Sequence, residues 1–325
     1  MVRVLIDTSY ALRGPSGTGT YILELTAALR RLGVDIVEVS NDRRRPPAGG
    51  GLGSARNLLA DRRWLTRSLP QFAADVSADL VHHPLPASAR QPPCPQVITV
   101  HDLAFEIHPE HFDPRFVRWA KRAHRAAAQE AAVVICVSQT TADDVQERWG
   151  VRAEKIVVAH HGPGQDLPVV AAGTPRFVLY VGDDEPRKNL GLLRAADLPL
   201  PVCHAGPGGE TVDPPGLAQL YAEALALVHP SVHEGFGLTP LEAMAASVPV
   251  VAVRSAAVEE VCGDAVEYVG AGDPAELERA VQRLHEDPAH RAALAQRGRE
   301  RAARFSWEAS AQAHLEAYGR ALRAQ

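Results

Sequence analysis

Two doubly wound α/β domains are the architecture that this 325-residue sequence predicts. Two observations carry that expectation. Short, nearly continuous apolar runs alternate with longer amphipathic stretches from end to end, and strands of that kind belong to a parallel sheet covered on both faces. The alternation is interrupted once, by the Gly- and Pro-rich stretch HGPGQDLPVVAAGTP at 161–175, which reads as an interdomain linker. The expected domains are residues 1–165 and 172–306.

In the first half, strands are expected at 2–6, 35–39, 79–82, 96–100, 133–137 and 156–159. The stretch 20–32 places Ile22, Leu25, Leu29 and Leu32 on one face and stops at Gly33, a helix with a glycine C-cap. Further helices are expected at 114–130 and 140–149. In the second half, strands are expected at 177–181, 202–205, 226–229, 248–253 and 265–269. Helices are expected at 189–196, 217–225 and 276–285, and then without interruption from 288 to the end. Ligands of such sheets sit outside the carboxyl ends of the strands, so a cleft between two facing domains is the expected site.

Composition removes several classes. Hydrophobic residues make up 46% and charged residues 22%, ordinary globular values. Aromatics at 5% argue against stacking platforms for nucleic acid. No apolar run is long enough to span a bilayer, and MVRVLIDTSY reads as a strand, not a signal peptide. The four cysteines lack CxxC spacing, so reduced thiols and a cytoplasmic location are expected. Charge is uneven. Residues 1–165 hold 20 Lys/Arg against 17 Asp/Glu, and the remainder 14 against 22. The basic stretches Arg43–Arg45 and Arg62-Arg63-Trp64-Leu65-Thr66-Arg67 are either solvated charge or a peripheral contact with an anionic membrane surface.

The densest chemistry lies in HEGFGLTPLEAMAASVPVV, residues 233–251. Thr239, Pro240 and Glu242 fit the N-cap, N1 and N3 positions of a capping box, so Glu242 has a structural duty available to it. Glu234 has none. It sits on a Gly-bearing loop that lets backbone approach a ligand, ahead of a helix whose free amides form an anion site. A phosphate on those amides with hydroxyls on Glu234 describes a nucleotide sugar. In VGDDEPRKN, residues 181–189, Arg187 and Lys188 stand at a helix start, where positive charge is unfavourable unless an anion such as a diphosphate is bound. His101 and Asp102 of TVHDLAF end a central strand. GPSGTGTY, residues 14–21, resembles a phosphate loop, but Ile22 stands where a dinucleotide fingerprint needs its third glycine. No HExxH, Cys/His cluster or Asp-x-Asp is present, so no metal site is expected, and CVSQT lacks a nucleophile-elbow context.

In their order and spacing, DTSYALRGPSGTGTYILEL, TVHDLAF, VICVSQTTADDV, YVGDDEPRKNLGLL, HPSVHEGFGLTPLEAMAASVPVVA, AAVEEVCGDAVEYV and RFSWEASA resemble the retaining glycosyltransferases of family 4, which have the GT-B fold. The resemblance spans essentially the whole chain, and Glu234 and Glu242 form its most specific mark, E-x7-E. It implies that Lys188 contacts the donor diphosphate, with Arg187 as a second cation, since Asp183 stands where many members carry arginine. It implies that Glu234 holds donor-sugar hydroxyls and Glu242 the ribose, while Phe236, Gly237, Leu238 and Thr239 offer backbone or hydroxyl contacts to the phosphates. His101 would lie beside the donor sugar, and Gly17 and Gly19 would form a loop near the diphosphate. Val258, Glu259 and Glu260 would fall in the nucleotide-pocket segment. The helix after Trp307, about 307–325, would pack back on the first domain.

The implied activity is hexose transfer, with retention and without metal or other cofactor, from a nucleoside diphosphate sugar to a hydroxyl of a glycan, glycolipid or small molecule. GDP-mannose is the first donor to test. A sugar-nucleotide epimerase, a sugar-phosphate synthase and a non-catalytic nucleotide-sugar-binding protein are the alternatives. No nucleic-acid partner is expected. The compressed stretch 204–216 leaves base recognition open.

Overall fold

A computed structural model describes residues 2–11, 16–43 and 52–324, with the backbone alone for 52–55. Arg44 and Arg45 of the first basic stretch lie outside the described residues. In chain order the elements are β1 (Arg3–Asp7), α1 (Gly17–Arg31), β2 (Asp35–Val39), α2 (Leu52–Arg63), α3 (Leu69–Asp75), β3 (Leu80–His83), β4 (Gln96–Val100), α4 (Ala104–Ile107), α5 (Pro114–Glu130), β5 (Val133–Cys136), α6 (Gln139–Trp149) and β6 (Ile156–Val158). There follow β7 (Phe177–Val181), α7 (Leu190–Ala195), β8 (Val202–Ala205), α8 (Pro214–Glu223), β9 (Ala224–His229), α9 (Leu238–Ala245), β10 (Val250–Val253), α10 (Ala256–Cys262), β11 (Glu267–Val269), α11 (Pro274–Glu286), α12 (Pro288–Ala302) and α13 (Trp307–Arg323).

The chain separates into two compact units, one comprising residues 1–103, 114–160 and 307–325, the other 104–113 and 161–306. Each holds one parallel sheet. The first has strand order β2-β1-β3-β4-β5-β6, the second β11-β10-β9-β7-β8. Both orders reverse beside their first strand, between β1 and β3 and between β7 and β9. That reversal is the topological switch point at which doubly wound sheets bind ligands.

Every strand expected from an apolar run is present, to within a residue or two at most ends. Central strands are buried along their length, as with β3 and β5, so the helices on both faces are what make those runs tolerable. In the second unit, Val178, Tyr180, Leu225, Val228, Val251 and Val253 of the sheet pack with Leu190 and Leu193 of α7 and Leu277, Val281 and Leu284 of α11.

Three stretches differ from expectation, and a fourth, residues 104–113, carried none. In the second basic stretch Trp64 turns inward, while Arg62, Arg63 and Arg67 stay exposed. The stretch runs through the end of α2 into a wider π turn at Trp64–Ser68, and Trp64 is buried with Leu5, Leu69 and Val81. Its indole N–H donates to Asp7 Oδ2 at 2.8 Å, which satisfies the one polar atom that burial would otherwise orphan. Helix α1 starts at Gly17, because the Ser16 hydroxyl accepts from the Gly19 amide at 3.0 Å and caps it there. Gly17 and Gly19 therefore lie in the first turn of a helix, not in a loop. Residues 104–113 fold as the short α4 and a 3₁₀ turn, Pro109–His111. The expected single helix from 288 breaks at 303–306 into α12 and α13, which belong to different units. Phe305 packs on Phe236 in one unit and Trp307 on Tyr21 in the other.

All four cysteines are free thiols. Among the described residues, no helix is long and apolar enough to cross a membrane.

Candidate functional site

Strands β7 and β9 are neighbours at the switch point of the second unit, and the loops leaving them are stitched together. The Val232 amide donates to the Arg187 carbonyl at 3.0 Å, and the Ser231 hydroxyl reaches the same oxygen at 3.3 Å. Gly182 turns the chain at φ +152, where an added Cβ would meet the Tyr180 hydroxyl oxygen at 2.8 Å. Arg187 and Lys188 do not start a full helix as expected. They occupy a 3₁₀ turn, Pro186–Lys188, ahead of α7.

This stitching brings Glu234 onto the two cations. Lys188 Nζ lies 2.7 Å from Glu234 Oε1 and Arg187 Nη1 3.6 Å from Oε2, with His229 Nε2 3.4 Å from Oε1. Arg187 also donates to Glu185 Oε2 at 2.9 Å. The three central side chains are 13–17% exposed, so water screens them little. Burial opposes ionisation of Glu234, but Lys188, His229 and Arg187 outweigh it and hold its carboxyl well below the usual range. The carboxylate is ionised at neutral pH and weakly basic. The cluster is a pre-formed ion triad whose cations another anion can take over.

The loop after Glu234 ends at Gly237, which has φ +98 and stands at the N-cap of α9. Helix α9 therefore begins at Leu238, two residues before the Pro240 that the capping box would put first. The capping box does not form. No side chain caps this helix, Thr239 is already inside it, and Pro240 has no amide to offer. Glu242 does not turn back to its own helix start. It is buried, accepting from the Tyr221 hydroxyl at 2.9 Å on Oε1 and from the Gln165 amide at 3.1 Å on Oε2. Burial raises its pKa against those two hydrogen bonds. Gly164, at φ +72, lies so close that a Cβ there would sit 2.1 Å from Glu242 Oε2. Phe236 is core, 4.9 Å from the His161 ring and 5.9 Å from the Phe305 ring between centroids, so only its backbone can face a ligand. Val258 is fully buried and Glu259 is paired with Arg254 on the surface.

His101 follows β4 in the first unit. Its Nε2 lies 3.0 Å from the Pro84 carbonyl and its ring packs edge-on to Tyr21 at 4.8 Å. Burial lowers its pKa to about 4 against the Pro84 carbonyl and Asp102, so the imidazole is neutral at pH 7. Beneath it runs a buried polar chain that sequence inspection missed. The Tyr318 hydroxyl meets His82 Nδ1, His82 Nε2 meets the Thr99 hydroxyl, Thr99 meets Tyr21, and Tyr21 meets His314 Nε2, all at 2.8–2.9 Å. It ties α13 to β3, β4 and α1. The paired histidines of the LVHH strand and the His/Tyr spacing in α13 were its only signal.

Two protein-family models match the chain, "Glycosyltransferase Family 4" over residues 15–163 and "Glycosyl transferases group 1" over residues 211–301. An O-antigen chain mannosyltransferase B of Escherichia coli is 28% identical over 264 residues, which are 68% of this chain and 69% of that protein. Among solved structures, a sucrose-phosphate synthase of Thermosynechococcus elongatus superposes with a TM-score of 0.82 at 19% identity, covering 100% of both chains. An Anabaena protein, HepE, in complex with UDP-glucose gives 0.70 at 18% identity, covering 97% of this chain and 99% of its own. With two parallel-sheet units of matching strand order and both family models in place, this chain is a glycosyltransferase of the GT-B fold, similar to those of family 4.

Proposed function

We propose that the chain transfers a hexose from a nucleoside diphosphate sugar to an acceptor hydroxyl, with retention and with no metal ion on the diphosphate. One observation carries this reading, the buried Glu234–Lys188–Arg187 cluster at the switch point beside the uncapped start of α9. A diphosphate entering there takes Lys188 and Arg187 as its partners and gains the amides of Leu238 and Thr239. The carboxylate of Glu234, released from its cations, accepts hydroxyls of the sugar. Negative charge grows on the leaving diphosphate as the glycosidic bond breaks, and the same two cations neutralise it. They fill the role a divalent ion would otherwise play.

Retention is favoured because Glu234, engaged with hydroxyls of the sugar, is not free to act as a nucleophile on the opposite face. The acceptor hydroxyl then attacks from the face the diphosphate leaves, through an oxocarbenium-like ion pair. For Glu242 we propose contact with the ribose. Each carboxylate oxygen has two lone pairs, so Oε2 can take a ribose hydroxyl beside the Gln165 amide. For His101 we propose a role in the transfer step as a neutral imidazole.

The name of the Escherichia coli relative supports mannose as the transferred sugar, and GDP-mannose is the donor to test first, with UDP-glucose for comparison. Peripheral contact with an anionic membrane remains part of this reading, through a different surface from the one the sequence suggested. Helix α5 exposes Phe116 and Trp119 among Arg115, Arg118 and Arg122. The deciding experiment follows turnover of each donor with sugar and lipid-linked acceptors and assigns the product anomer by NMR. An inverted anomer refutes the retaining mechanism. Consumption of the nucleotide sugar with no acceptor present points to an epimerase instead.

A further inference from the structure

The stretch HPEH, residues 108–111, takes no part in the reactions above. Its backbone is a 3₁₀ turn over Pro109–His111, closed by the His111 amide donating to the His108 carbonyl at 3.1 Å. In that geometry side chains at i and i+3 eclipse one another. The two imidazoles accordingly lie side by side, with ring centroids 5.5 Å apart and planes 14° apart. Glu110 places Oε1 between them, 3.4 Å from His108 Nδ1 and 3.9 Å from His111 Nε2. One nitrogen from each ring and one carboxylate oxygen thus fall within 4.8 Å of one another.

With metal–ligand bonds of about 2.0–2.1 Å, the ligand–ligand edge of a tetrahedral site is about 3.4 Å. The His108–Glu110 edge already has that length, and His111 needs to close by roughly half an ångström relative to Glu110. Among the described residues, neither nitrogen of His111 is satisfied. Nδ1 is buried without a hydrogen-bond partner among the described residues, and Nε2 meets Glu110 only at 3.9 Å. The other side of His108 packs edge-on against the His233 ring at 5.4 Å. His233 directly precedes Glu234, and its carbonyl accepts from Ser231 Oγ at 3.1 Å and from Arg187 Nη1 at 3.4 Å.

We propose that His108, Glu110 and His111 bind a divalent first-row transition ion, with Zn²⁺ as the reference ion. Two imidazoles and a carboxylate suit Zn²⁺ and Co²⁺ and are a poor set for Mg²⁺, which prefers an oxygen octahedron. Three protein ligands leave a fourth position for water or another small ligand. The ion's role there is to fix the His108 ring, and with it the 108–111 turn, where that ring packs on His233 of the loop that carries Glu234. It is not placed on the diphosphate, whose charge Lys188 and Arg187 take.

The test uses the full chain without a histidine tag, stripped with a chelator and titrated with Zn²⁺ by calorimetry, and with Co²⁺ by visible absorption. One equivalent is expected, with the intense absorption of tetrahedral Co²⁺, displaced by Zn²⁺ and not by Mg²⁺. The melting temperature should rise with Zn²⁺. His111→Ala and Glu110→Gln should each weaken binding by more than about tenfold, since even residues behind the ligands cost about 10–100-fold at such sites. Glu110 is exposed, so Glu110→Gln folds whether or not the proposal is right. His285→Ala, at an exposed histidine elsewhere, should bind as the parent does. Unchanged affinity in Glu110→Gln and His111→Ala, or Mg²⁺ displacing Co²⁺ as well as Zn²⁺ does, overturns the proposal.

Discussion

Lys188→Ala exposes how the Glu234 cluster is balanced. The mutation removes the partner 2.7 Å from a carboxylate that is only 13% exposed, and leaves Arg187 at 3.6 Å and His229 at 3.4 Å. At an effective dielectric of about 20, the Lys188 pair is worth about 6 kcal/mol of Coulomb attraction and the Arg187 pair about 5. Desolvation offsets most of both. Breaking a buried pair by removing one partner costs about 3–5 kcal/mol, and the surviving arginine puts this case near 3. At about 2–4 °C per kcal/mol for units of this size, melting should fall by about 6–12 °C. Adding Glu234→Gln to Lys188→Ala removes the stranded charge and should return at least half of the loss. The pH dependence has a definite sign. In the parent protein Glu234 is held low, so its contribution is present above the unfolded carboxylate pKa and is lost as pH falls through the lower folded value. Without Lys188, burial dominates and the carboxyl protonates more readily. The gap between mutant and parent should therefore shrink as pH drops from 7 toward the carboxylate range. Turnover should fall by about 10²–10³, the usual cost of losing one charge-stabilising group. Thermal unfolding of the two single mutants, the double mutant and the parent, with kcat on the same samples, measures all of this. A double mutant no more stable than Lys188→Ala, or near-normal turnover in Lys188→Ala, refutes the reasoning.

Gly164→Ala should destabilise by at least about 1–2 kcal/mol from the positive φ alone, and by more from the collision with Glu242; urea unfolding should show the loss, and an unchanged midpoint would contradict the packing described. Burial lowers the pKa values of His101 and His314 to about 4 and that of His82 well below its usual value. Their stabilisation is fully present above the unfolded value of about 6.5 and is lost as pH falls toward 4, by a few kcal/mol in all. Denaturation midpoints across that window should fall steeply in the parent and less steeply in His314→Gln; parallel curves would remove the buried chain as the cause. Arg118→Glu with Trp119→Ser should abolish cosedimentation with anionic vesicles while leaving turnover of a water-dispersed acceptor intact, and vesicle binding that survives both changes assigns the contact to another surface.

Sequence alone was enough for the strands, because a strand covered on both faces must be apolar along its length whatever lies beyond it. The end of β4 just before His101 was legible for the same reason, as a local pattern. Other features depend on chain segments that meet only after folding. The Lys188–Glu234 contact joins residues 46 positions apart, through loops that the switch point between β7 and β9 makes adjacent. Glu242 fits a capping box by spacing, yet it points to Tyr221 and Gln165, because Gly237 stands at the N-cap of α9, two residues before Thr239. Trp64 sits in a basic stretch but fills the core beside Asp7, since a wider helical turn rotates it inward. The histidines of HPEH fit no helical metal motif and become neighbours only because a 3₁₀ turn eclipses i and i+3. Local periodicity determined which segments are strands and helices; which charges face each other was decided by strand order and loop stitching, which no local pattern encodes.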